Sequence, residues 1–96
     1  MVRDADVHRN FDHYADGTVR IGELPPGLHV TGKMAWYVHR GPYSGIGHAF
    51  GEYMRKAIAL RVEPVGAPGD VYICEPDDHK TDGQAKLLTL FWTPVK

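Results

Sequence analysis

Residues 33–60 read KMAWYVHRGPYSGIGHAFGEYMRKAIAL, and the fold turns on how this stretch is divided. From Lys33 to His39 apolar side chains fall on both alternating faces, the pattern of a central strand covered on each side. Gly41 and Pro42 end that strand. Ser44 stands where a helix N-cap belongs, and Ile46, Ala49, Phe50, Tyr53, Met54, Ala57 and Ile58 then recur at helical spacing on one face. Gly47, His48, Gly51, Glu52, Arg55 and Lys56 fall on the other. The helix is expected to stop near Leu60.

Working outward toward the N-terminus, Val7 to Tyr14 is polar and aromatic, and Asp16-Gly17 is a turn signal of the kind that joins antiparallel strands. A hairpin is expected, its second arm running from Thr18 to Leu24. There Val19 and Ile21 alternate with Arg20 and Gly22, and Pro25-Pro26-Gly27 stops the strand. Toward the C-terminus, Pro64, Gly66, Pro68 and Gly69 make a stiff connector. DVYIC, Asp70 to Cys74, reads as a short strand, and an acidic exposed loop follows from Glu75 to Gln84. Lys86 to Trp92, KLLTLFW, is again apolar on both faces, and Pro94 closes it. The expected class is α+β: a mostly antiparallel sheet with one main helix on one face, a single βαββ unit over 33–95 preceded by a hairpin extension over 1–30.

A chain of 96 residues, 43% of them hydrophobic, supports one core and one domain. Eleven basic and twelve acidic residues leave a formal charge of -1 with no basic stripe, which argues against direct contact with nucleic acid. No segment approaches the roughly 20 apolar residues of a spanning helix, and the N-terminal residues carry no apolar leader. The lone Cys74 allows no internal disulfide, so a soluble protein of the reducing cytoplasm is expected.

The glycines of 41–51 nearly spell a dinucleotide fingerprint, but His48-Ala49-Phe50 follows Gly45-Ile46-Gly47 where a third glycine should stand. The lysine of a phosphate-binding loop is missing too. Gly45, Gly47 and Gly51 are then expected to let the helix lie close to the sheet or to a neighbour, offsetting about 1 kcal/mol each of lost helix propensity. Among the six histidines none has the i, i+4 spacing of a zinc site, so no metal and no cofactor is expected. Ser44 serves better as a cap than as a nucleophile, and no histidine is placed beside Cys74 by sequence.

Three segments together carry a family resemblance: HRGPYSGIGHAFGEYM (39–54), LRVEPVGAPGDVYICEPDD (60–78) and LLTLFWTPV (87–95). They resemble the C-terminal half of the GyrI-like small-molecule-binding domains, the effector-binding domains of bacterial transcription activators. The resemblance implies a strand-helix-strand-strand unit that normally occurs twice, with a cleft for bulky aromatic compounds between the two. This chain holds room for one such unit, so a homodimer that rebuilds the cleft is expected. It also carries Leu90 where the family has a glutamate, and Asp70 in place of another acid, while Tyr72 is retained.

By that resemblance the motif tyrosine Tyr72, Leu90 and Trp92 look into the cleft, with Asp70, Tyr43, Trp36 and Tyr37 as further ligand-binding candidates. Alternation leaves open which of Trp36 and Tyr37 faces it. The leading reading is a cytoplasmic, homodimeric module that binds a hydrophobic, aromatic small molecule in a largely uncharged cleft, without metal, cofactor, membrane or direct nucleic acid. A hydrolase of strained, cyclopropane-type toxins is the enzymatic alternative, disfavoured because the glutamate is replaced by Leu90. A protein-interaction module of a regulatory or gyrase-modulating kind is the third.

Overall fold

In the computed structural model, which describes residues 2–28, 30–41, 45–74 and 87–96, the chain forms five strands and two helices. In order these are β1 (Val2–Arg3), α1 (Ala5–Asp12), β2 (Arg20–Gly22), β3 (Met34–Arg40), α2 (Ile46–Ala59), β4 (Gly69–Cys74) and β5 (Leu88–Pro94). They build one sheet in the order β1-β4-β5-β3-β2. Every pairing is antiparallel except β1 with β4. The central pair, β3 with β5, runs from Met34 opposite Pro94 to Arg40 opposite Leu88. The chain leaves β3, crosses through α2 and returns as β4, with β5 filling the gap between these two strands. The α+β class and the strand-helix-strand-strand order of 34–94 agree with the sequence.

The expected first hairpin arm is instead a helix. Over Val7 to Tyr14 the sequence suggests a strand, but the Asp4 carboxylate accepts from the backbone N–H of Asp6 at 2.8 Å and of Val7 at 3.3 Å, an N-cap that starts α1. Val7 and Phe11, four residues apart, then bury on the same side against the sheet. The Asp16-Gly17 turn exists without a strand on its near side. Arg20 grips Asp16 through two hydrogen bonds, at 3.1 and 2.7 Å, and holds its carboxyl well below the usual carboxylate range. The same guanidinium lies over the rings of Tyr14 and Trp36, 4.8 and 5.6 Å from their centroids.

The two helices take opposite faces. On the α1 side Val7, Phe11, Met34, Trp36, Val38, Ile73, Leu88 and Leu90 form one core cluster, with Tyr14, Ala15, Leu24, Leu28 and Val30 packed against it. Gly27 has φ 121, and a Cβ there would stand 2.7 Å from Val7, so the loop lies directly on α1. On the α2 side Tyr37, Ala49, Tyr53, Ala57 and Phe91 form a second cluster. The buried Tyr53 hydroxyl donates to the Ala35 carbonyl at 3.0 Å and shares a short hydrogen bond with the Thr93 hydroxyl. Covered on both faces, β3 is buried from Met34 to Val38, as its double-sided apolar pattern requires.

Of the three helix glycines only Gly45 has a near neighbour, the His39 ring 3.5 Å from where its Cβ would be. Gly47 and Gly51 face open space, so the close approach expected for them does not occur within this chain. Ser44, expected as the N-cap, lies outside the described residues. At its far end α2 closes on Leu60 and turns through Arg61, which has φ 57.

Candidate functional site

The seven candidate residues do not line one surface. Register and alternation put Trp36, Leu90 and Trp92 on the α1 side of the sheet and Tyr37, Asp70 and Tyr72 on the α2 side. Tyr72 stands directly opposite Thr89, and Leu90 opposite Val71, so the tyrosine and the leucine project from opposite faces. This corrects the expectation that Tyr72, Leu90 and Trp92 share a cleft. Trp36 and Leu90 are core residues under α1. Trp92 is half-buried across Gly69, whose added Cβ would meet the indole Cε2 at 2.6 Å. Tyr43 lies outside the described residues.

On the α2 side the remaining candidates meet a feature that the sequence reading missed. Helix α2 lies over β3 and β5, and Asp70 and Tyr72 of the neighbouring β4 are on the same face of the sheet, the first exposed and the second half-buried. Apart from Ala59, the apolar positions of α2 divide into two rows. Ile46, Ala49, Tyr53 and Ala57 face the sheet. Phe50, Met54 and Ile58, each one turn apart, form the second row and are exposed, Ile58 to 69%. The Phe50 ring meets Phe91 edge-on at 5.3 Å, which fixes this row on the β5 and β4 flank of the helix.

Below it Met54, Ala57, Ile58, Val62, Pro64 and Thr93 enclose a hollow of about 180 Å³. The signal was present in the sequence: a helix resting on one sheet needs a single stripe, and eight apolar residues in fourteen leave enough for a second.

The electrostatics of the α2 face are mild. Burial pushes the Tyr37 phenol up, helped by the negative charges of Glu52 and Asp16, and burial likewise raises Tyr53. Both phenols therefore stay protonated at neutral pH. Asp70 is the acid on the β4 surface, and it is exposed. Among the described residues no group of three His, Cys, Asp or Glu is placed to hold a metal ion, and no helix is long and apolar enough to cross a membrane. At the sheet edge β1 pairs only with Ile73 and Cys74, so among the described residues Gly69 to Val71 has no strand on its outer side.

This arrangement offers an apolar wall, a tyrosine hydroxyl and one peripheral carboxylate. Compared with protein-family models, with curated proteins and with solved structures, the chain matches none.

Proposed function

We propose that the protein is a small-molecule-binding module of the GyrI-like type, and that its receptacle is the α2 flank beside β4, completed by a second copy of the chain. The observation that carries this reading is the exposed row Phe50, Met54 and Ile58, continuous with the hollow beneath it. Exposed apolar rows of this kind mark places where something else is bound. The order β3-α2-β4-β5 follows the unit that the sequence resemblance implies.

Aromatic and thioether side chains with little charge suit a planar, largely neutral ligand held by burial and stacking, with Tyr72 and Asp70 at the rim to orient polar substituents. The position of the family glutamate supplies no counter-charge here, because Leu90 lies in the core on the far side of the sheet. A second copy is part of the proposal for a reason of size. A hollow of about 180 Å³ is smaller than the roughly 300–1,000 Å³ of ordinary ligand sites, so one chain encloses only part of a ligand. The open edge from Gly69 to Val71 lies next to the wall and can pair with its symmetry mate.

Titration with Nile red, a neutral planar dye, followed by fluorescence and by native mass spectrometry, tests both parts. Saturable binding with two chains per complex is expected, and Ile58→Glu should weaken it at least tenfold while leaving the melting temperature nearly unchanged. Unaltered affinity in that variant would remove the wall from the site. Dye held by a single chain would remove the second copy.

A further inference from the structure

At the other side of the α2 terminus is a second hollow, of about 310 Å³, bordered by Ile21, Lys33, Leu60, Arg61, Val62, Glu63, Val95 and Lys96. It shares Val62 with the hollow under the wall described above and otherwise has its own lining. We propose that this hollow binds an amphiphile that ends in a carboxylate, its tail on Ile21, Leu60, Val62 and Val95 and its head group between Lys33 and Arg61.

Three observations lead there. The first is the charge pattern. Arg9 pairs with Asp6, Arg20 with Asp16, Arg40 with Asp12 and Arg55 with Glu52. Arg61 forms no ion pair among the described residues, and neither does Lys33, although both stand at the same hollow. Among the described residues, the hollow thus gathers cations without an ion pair, whereas Arg9, Arg20, Arg40 and Arg55 each meet a carboxylate. Lys96 and Glu63 also stand on the rim.

The second is the backbone. Arg61 is the one non-glycine residue with positive φ among those described, at 57°. Glycine takes that left-handed turn without strain and is the usual residue after a helix. A long cationic side chain at this position is not explained by helix termination, whereas a guanidinium needed at the hollow explains it.

The third is the floor. Leu60 is 50% and Ile21 45% exposed, so the hollow offers apolar surface beside its charged rim. A tail covering that surface is driven by its removal from water, and a planar carboxylate matches the fork of a guanidinium. At about 30 Å³ per water-sized group the hollow has room for roughly ten non-hydrogen atoms, the scale of a medium-chain carboxylic acid. The partial negative charge at the end of α2 and the Glu63 carboxylate oppose an anion there. Two full cations outweigh them for a single negative charge and less readily for two, which favours a monoanion.

Decanoate, decanol and decyltrimethylammonium, each below its micelle threshold, are suitable probes, with methyl NMR shifts as the readout. Decanoate should move the Ile21, Leu60, Val62 and Val95 methyl signals saturably, at least tenfold more tightly than decanol, and the ammonium should bind most weakly. Arg61→Gly relieves the left-handed turn and so keeps the fold. It should weaken decanoate about tenfold and leave decanol unaltered, while Ile58→Glu should leave decanoate binding intact. Equal affinity for decanoate and decanol, an Arg61→Gly variant that binds decanoate as the parent does, or the absence of saturable shifts at these methyl groups would each overturn the proposal.

Discussion

The two faces of the sheet are built from nearly the same materials and finish differently. The α1 face is covered by a helix of only eight residues, yet Phe11, Val38, Ile73, Leu88 and Leu90 beneath it have almost no contact with solvent. The α2 face carries a helix of fourteen residues and still presents Phe50, Met54 and Ile58 to the outside. Helix length therefore does not decide closure. On the first face Tyr14, Ala15, Leu24, Leu28 and Val30, from the loops that flank β2, pack beside the short helix and cover what the helix cannot reach. On the second, α2 is centred on β3 and β5, and its outer row projects past them toward β4. A face with a covering loop makes a core, and a face without one makes a wall.

The contrast is broken most directly by truncating one residue from each side. Leu90→Ala on the closed face should lower the free energy of unfolding by about 3 kcal/mol, because the cavity it leaves cannot collapse between α1 and the sheet. Ile58→Ala on the open face should change it by no more than about 0.5 kcal/mol. Urea denaturation of both variants at low micromolar concentration is the measurement. A cost at Ile58 approaching that at Leu90, and growing with protein concentration, would show the wall covered in solution by a second chain.

A smaller effect comes from the polar tie that holds α2 to its face. Tyr53→Phe removes the donor to the Ala35 carbonyl and leaves the buried Thr93 hydroxyl without its partner, which should cost about 1–3 kcal/mol. Adding Thr93→Val should recover part of that loss, since removing both polar groups is cheaper than orphaning one. The alkaline limb offers a check in the same variants. Burial raises the Tyr53 phenol above its ordinary 10.0, so the folded state favours the protonated form. Stability is then full below pH 10.0 and falls as the pH climbs through the folded value. Tyr53→Phe should make that fall shallower, with Tyr37 responsible for what remains.

The β3-α2-β4-β5 unit was legible because its signals are local: a double-sided apolar strand, glycine and proline at its end, a helical period, then two more strands. Helix α1 was not, because its start rests on the Asp4 cap and its burial on contacts with β3, β4 and β5, which lie far along the chain. The nearby Asp16-Gly17 turn was a stronger pattern than either, and it suggested a strand before it. The site was legible in composition and not in placement. Alternation puts Tyr72 and Leu90 on definite faces of their own strands, but only the register of β4 on β5 sets one strand against the other. Without that register the tyrosine and the leucine read as neighbours.

The smallest expected effect separates the faces by their glycines. On the closed side Gly69 is required for space, since the Trp92 indole occupies the position a Cβ would take. On the outer side of α2, Gly47 and Gly51 have nothing within 4 Å and no positive φ. Neither a turn nor a close contact calls for glycine there, and each weakens the helix by about 1 kcal/mol relative to alanine. Gly47→Ala and Gly51→Ala should therefore each stabilise the isolated chain by up to that amount, seen as a rise of a few degrees in melting temperature. The sign carries the information. A loss of stability in either variant, appearing only at high protein concentration, would place another chain's backbone against this side of α2, and the helix would then have neighbours on both of its outer flanks.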